Sequence, residues 1–353
     1  MNKNRFFLFY LIFLSFLFQA CDNNDDNAIP AGEYAQGVLI SNEGNFGSSN
    51  SSLSFYHRDT EEVENEVFEK VNNRPLGDVF QSLYFHNNRG FLVINNSNKV
   101  EVVDENTLTS IDVIEDGLAN PRFFVASGNK GYVTNWGNFD QNFELDQSYV
   151  AVIDLNSMQV QKNIHTEAGT EDIVIANNKI FASNSFTNTL SIINLNTEEV
   201  ELNLVLSSAP GAIAGDRDGN LWIICSGDYE AANGKIFVIN VNDNSIVKEI
   251  DLGLNPSAKL AVNQQGDAFY YFSGRSIYQI AINAVSAPEA PLITENALVG
   301  SFYGLGLDPQ TNILYASDNV GFTGNGKVFR YQVNGTLIDN FSAGIGPNGF
   351  WFK

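Results

Sequence analysis

Five segments of the chain combine an aromatic side chain with amides and carboxylates. They are 42–50 (NEGNFGSSN), 135–143 (NWGNFDQNF), 184–188 (NSFTN), 227–234 (GDYEAANG) and 318–326 (DNVGFTGNG). Aromatic faces offer broad apolar contact, while Asn and Asp place hydrogen-bonding groups around it. That composition suits a large molecule decorated with amides or hydroxyls. The candidate contacts are Asn42, Phe46, Asn135, Trp136, Phe139, Phe186, Asp228, Tyr229, Asp318 and Phe322. A second set, Gln81, Arg122, Glu171, Tyr303 and Asn348, stands at the beginnings of apolar runs and adds charge and polarity.

Nucleophilic and metal chemistry leave fainter traces. The chain has no His-Glu-x-x-His, no Gly-x-Ser-x-Gly and no phosphate-binding glycine loop. His57, His86 and His165 are far apart, and Cys225 lies in the apolar run 221–225, where a thiol acts as a small buried hydrophobe. Asp216-Arg-Asp-Gly-Asn220 has its glycine misplaced for a calcium loop and lacks the closing Glu, so it reads as a hairpin turn. The expectation is a binding protein without catalytic residues, metal or cofactor.

The 353 residues carry 19 Lys+Arg against 41 Asp+Glu, a formal net charge of −22. Such a surface repels phosphate backbones, which excludes nucleic acid as a partner. With 44% hydrophobic residues the chain can bury a core, and 46 Asn and 29 Gly against 2 Met favour short strands and tight turns over long helices.

A recurring apolar strand positions the candidate loops. It begins at Gly37, Gly90, Gly131, Lys179, Asn220, Asp267 and Asn312, at intervals of 41 to 53 residues. That period matches a four-stranded propeller blade. An alternating strand follows each run, then a more polar stretch suited to an outer edge, such as Val63-Glu-Asn-Glu-Val67. Innermost strands precede six of the runs: Ser82-Leu-Tyr-Phe, Phe123-Phe-Val-Ala, Asp172-Ile-Val-Ile, Ala212-Ile-Ala, Ala258-Lys-Leu-Ala-Val and Gly304-Leu-Gly-Leu. The missing seventh is the segment Gly349-Phe-Trp-Phe-Lys353, which should pair into the first blade and close the ring. The predicted fold is an all-β, seven-bladed propeller over 34–353, most simply a monomer. In it the five aromatic loops and the five inner-strand residues gather on one rim.

Lys3 and Arg5 precede the apolar run 6–18. Thirteen helical residues reach about 20 Å, short of the ~30 Å hydrocarbon core, so 1–20 reads as a signal segment. Its end, Phe18-Gln19-Ala20-Cys21, resembles a bacterial lipobox, which implies lipidation of Cys21. The following 21–33, beginning Asp22-Asn-Asn-Asp-Asp-Asn27, is an acidic tether that resembles the surface-export signal of Bacteroidetes lipoproteins.

Val152-Ile-Asp-Leu-Asn-Ser-Met-Gln-Val160, Ile192-Ile-Asn-Leu-Asn-Thr-Glu-Glu-Val200 and Tyr132-Val-Thr-Asn135 resemble the cadence of YVTN-type propellers. The last repeat resembles surface propeller lipoproteins of Bacteroidetes, including the BtuG type. It contains 302–309 (FYGLGLDP), 314–318 (LYASD), 326–331 (GKVFRY) and 344–348 (GIGPN). The resemblance implies an outward-facing, lipid-anchored protein of the outer membrane. Its ligand would be cobalamin or another corrinoid, passed to a TonB-dependent transporter. Two other readings remain open. One is a metal-assisted lactonase or lyase with Glu43, Glu171 and Asp318 converging on the axis; the other is a glycan- or protein-binding adhesion module.

Overall fold

Each apolar run pairs with its neighbours in sequence, and the unit recurs around a ring. The computed structural model describes residues 32–142, 145, 147–207, 209–228 and 233–353. The signal segment, Cys21, most of the tether and Tyr229 lie outside the described residues. Seven antiparallel four-stranded sheets form the described chain. From axis to rim, blade three runs Pro121–Ser127, Lys130–Asn135, Tyr149–Asp154 and Gln159–His165, and blade four repeats the order from Thr170 to Val205.

The tight hairpins behave as their residues require. Asn87 and Asn88 have φ of 51° and 59°, and Asn177 and Asn178 have 45° and 58°. Paired left-handed residues give a turn whose twist matches that of the strands, and Asn tolerates the region better than most residues. Asp216 likewise closes a hairpin: its carboxylate accepts from the backbone N–H groups of Asp218 and Asn220, with Gly219 at φ +83°.

Blade one is built from both ends of the propeller sequence. Strand Pro347–Phe352 lies innermost against Val38–Asn42, with Val38 opposite Phe352 and Ile40 opposite Phe350. The Lys353 N–H then donates to the Gly37 carbonyl. The inner strands of successive blades touch all the way round, blade seven contacting blade one through Phe302–Leu307 and Pro347–Phe352. Arg58 of blade one adds a clamp, donating through Nε (3.1 Å) and Nη2 (2.9 Å) to the buried Asp308 carboxylate of blade seven. Both propeller closure and the seven-blade count follow the sequence pattern.

The core is distributed between blades. Among the described residues seven apolar clusters form, each filling one gap. Val38, Ile40, Tyr56, Tyr315, Val328 and Phe350 fill the seam between blades seven and one. Cys225 is fully buried in the gap between blades four and five, and burial pushes its thiol up to about 12, so it is inert packing.

Two details differ from the sequence pattern. The polar stretch after Tyr56 keeps only Val63–Glu64 as strand and then turns into the short helix Val67–Asn72. Val67 and Phe68 are adjacent, yet both are buried between blades one and two, a burial that a strand alternating its side chains between faces would not give. In blade six only Ala261–Val262 pairs as inner strand, and the preceding Ala258 bonds to blade five. There the Ala212 N–H donates to the Ala258 carbonyl, and a Cβ on Gly211 would meet that of Ala258 at 2.3 Å.

Closure makes a prediction. Phe350→Ala removes a largely buried ring from the seam, with an expected loss of about 3 kcal/mol in denaturant unfolding. An unchanged midpoint would mean that the seam does not limit stability.

Candidate functional site

Six of the seven inner strands carry the same irregularity at the same place. Register slips between Phe80 and Ser82, Pro121 and Phe124, Thr170 and Ile173, Pro210 and Ile213, and Phe302 and Leu305. Blade one has the matching slip opposite Ser41 and Asn42, at Asn348. A bulge leaves residues out of the ladder and re-aims their side chains. Here it frees Gln81, Arg122, Glu171, Tyr303 and Asn348, and all five line one cavity of about 330 Å³ at the channel mouth. Glu43, Asp172 and Lys259 line it too.

Its central feature is a charged clamp across two blades. Arg122 donates through Nε (2.9 Å) and Nη2 (2.7 Å) to the two oxygens of Glu171. The Trp136 indole N–H donates to the same carboxylate at 3.0 Å, and the Arg122 guanidinium lies 4.1 Å from the Trp136 ring centroid. Arg meets a carboxylate as a planar fork and stacks on an aromatic face, so these three groups hold one another in place. Across the mouth, the Tyr303 hydroxyl donates to Glu43.

Above the mouth lies a more open cavity of about 450 Å³, bordered by Glu43, Phe46, Val79, Arg122, Trp136, Tyr303 and Phe322. The Phe322 ring stands edge-on to Tyr303, with centroids 5.5 Å apart, and Phe139 and Phe186 flank Trp136 at 6.4 and 5.4 Å. Phe46, Phe139 and Phe186 are exposed. The loops are tied to one another: Asn45 donates to the Phe322 carbonyl (2.8 Å) and the Gly47 N–H to Asp78 (2.9 Å). Val79 and Val320 hold φ of 64° and 50°, a strained region for β-branched residues.

Other candidates serve the loops. Asn42, Asn135, Asp318 and Asn348 are buried and make hydrogen bonds within the protein. Asn42 donates to Ser52 and Ser54, and Asn135 accepts from the Ala119 N–H and donates to the Val133 carbonyl. Asp318 accepts from the backbone N–H groups of Val299 and Val320. Asn348 donates to the Phe80 carbonyl and accepts from Ser41, bolting blade one to blade two. Asp228 is exposed on its loop. Glu43, Glu171 and Asp318 are therefore held by separate partners. Among the described residues no group of three or more His, Cys, Asp or Glu could hold a metal ion.

The sequence pattern places Lys259 and Asp172 in inner strands without marking them as site residues. Their signal was the interruption of an apolar inner-strand run by one charge, in Ala258-Lys-Leu-Ala-Val and Asp172-Ile-Val-Ile. Asp172 accepts from the Ile213 and Ile173 N–H groups at 2.8 Å each. Burial nonetheless raises its carboxyl to about 6, against those donors. Loss of solvation lowers the Lys259 ammonium from the ordinary lysine value, opposed first by Glu43 and then by Glu171.

The family described as "Domain of unknown function (DUF5074)" matches residues 36–352. The chain belongs to that family. No curated protein matches it. Among solved structures, this DUF5074 chain is similar to a quinoprotein alcohol dehydrogenase-like protein from Bacteroides thetaiotaomicron, at 17% identity and a TM-score of 0.70, covering 90% of this chain and 78% of that one. A functionally unknown protein from Desulfotomaculum acetoxidans matches at 11% identity and a TM-score of 0.70, covering 90% of this chain and 98% of the other. At these identities the likeness establishes the propeller fold alone.

The raised Asp172 carboxyl sets a pH dependence. Its folded-state affinity for a proton exceeds that of the unfolded chain, so its contribution favours folding fully below the unfolded value near 4 and is lost as pH rises through about 6. Wild type should therefore gain about 1–3 kcal/mol relative to Asp172→Asn between pH 7 and pH 4 in paired denaturant titrations. Parallel pH profiles would refute the assignment.

Proposed function

We propose that this chain captures a small molecule on the aromatic rim of its propeller, and that the ligand is a corrinoid. Supporting the binding reading is one observation: Phe46, Trp136, Tyr303 and Phe322, from three blades, border a single cavity around Arg122 and Glu43. Rigid rings set around a few oriented polar groups are what a binding surface for a large, partly apolar ligand needs. The strained, cross-tied loops cut the ordering cost of binding. A corrinoid would rest across this rim, its planar macrocycle on the rings and its amide arms toward the polar groups.

The lipobox-like Cys21 and acidic tether place the propeller, on this reading, outside the outer membrane on a lipid anchor, where it hands the corrinoid to a TonB-dependent transporter. The tethered rim carries no cofactor of its own and performs no chemistry.

Calorimetric titration of residues 31–353 with cyanocobalamin tests the ligand. Saturable binding at micromolar concentration or below is expected, weakened at least tenfold by Trp136→Ala, which removes both the ring and the support of Arg122 and Glu171. Absence of heat and of any change in the corrinoid spectrum would remove the corrinoid, and glycan-array binding in its place would identify a sugar.

A further inference from the structure

The channel mouth holds two polar side chains that the protein leaves unanswered. The Gln81 Oε1 atom is buried without a hydrogen-bond partner, in a residue 6% exposed. Lys259, half-buried on the opposite side of the ring, forms no hydrogen bond or ion pair with the described residues, although it lines the same cavity. Both belong to inner segments, Gln81 at the bulge of blade two and Lys259 next to the Ala258 that bonds to blade five. An unpartnered buried acceptor costs the full loss of its hydration, so an answering donor is needed to offset it.

The carboxylates at the mouth already have partners. Glu171 accepts from Arg122 and Trp136, Glu43 accepts from Tyr303, and Asp172 accepts two backbone N–H groups. A ligand group entering here therefore meets the Lys259 ammonium as an unpartnered donor and the Gln81 carbonyl as an unpartnered buried acceptor.

Charge then selects among ligand groups. Three carboxylates (Glu43, Glu171 and Asp172) face two cations (Arg122 and Lys259) around the cavity, leaving it negative before any ligand enters. The whole chain, at −22, adds a field of the same sign. An arriving carboxylate or phosphate would be repelled by both, whereas a neutral group loses little on entry. A cationic group would suit the field but would bring no acceptor for Lys259.

We infer that the channel mouth is a subsite for an uncharged group carrying both an acceptor and a donor, a carboxamide above all. Its carbonyl accepts from Lys259 Nζ, and its N–H donates to Gln81 Oε1, directly or through a second amide of the same ligand. This rests on the reading of the rim as a binding surface and adds the chemical class of the group that enters the channel. Specificity arises because a site built to make these bonds leaves its own groups unpaired with a ligand that lacks them.

Malonamide, a neutral diamide, and sodium malonate at matched ionic strength are the probes. The readout is the Gln81 side-chain amide resonance, assigned by its loss in Gln81→Leu. Malonamide should shift it saturably, with a dissociation constant weakened at least fivefold in Lys259→Met, and malonate should not. Malonate saturating at equal or lower concentration would overturn the inference, as would malonamide producing no saturable shift or one indifferent to Lys259→Met. Comparison of the two probes on the unaltered protein needs no variant to fold. Cyanocobalamin separates the two readings. Binding undiminished in both Lys259→Met and Gln81→Leu removes the subsite and leaves the rim. Malonamide binding without cyanocobalamin binding keeps the subsite and removes the corrinoid.

Discussion

The pairing of Pro347–Phe352 with Val38–Asn42 is the constraint on which the rest depends. Each blade is a small sheet with two apolar faces, and neither face is buried unless a neighbour lies on each side. Closing the ring satisfies all the faces together, and the core accordingly appears as interblade layers. Closure also fixes geometry. Bulged residues on inner strands of different blades share an environment because the ring gives them a common axis, so Arg122 of blade three can grip Glu171 of blade four.

The two cavities on that axis differ in what lines them. Rings from separated loops line the outer one, and its shape is held by strained valines and loop-to-loop hydrogen bonds. Charge dominates the inner one, where most of the polar groups already answer one another. Glu43, Arg122 and Tyr303 border both. A ligand resting on the rings would therefore touch the same side chains that frame the mouth, and its fit above would be coupled to what enters below.

Much of this was legible in the residues. Strand repetition gave blade number, order and closure, because a strand's period and its turn residues are local properties. Asn87-Asn88 and Asn177-Asn178 are good examples: the turn they form is dictated by two adjacent side chains. The site was legible in part. Sequence position placed Arg122, Glu171 and Tyr303 at the mouth, and Phe46, Trp136 and Phe322 above it. It did not separate them from Asn42, Asn135 and Asp318, since an Asn that bolts a loop and an Asn that greets a ligand look alike until burial is known. Lys259 was missed because its direction depends on Gly211 admitting Ala258 from the next blade, a contact between residues nearly fifty apart. The helix Val67–Asn72 escaped for a similar reason, its burial being set by blade two.

The long separation between Val38 and Phe352 has a kinetic side. Blades two to seven are assembled from hairpins whose strands meet within a few dozen residues, so they can form early and independently. The seam joins segments some three hundred residues apart, and the entropy of bringing them together must be overcome before any contact rewards it. Closure is therefore the slow, late event in folding, and until it happens the flanking blades display a sticky wall of Val38, Ile40, Tyr56, Tyr315 and Val328. The acidic surface has a second use in that interval: mutual repulsion between chains holds half-finished rings apart while each finds its own last strand.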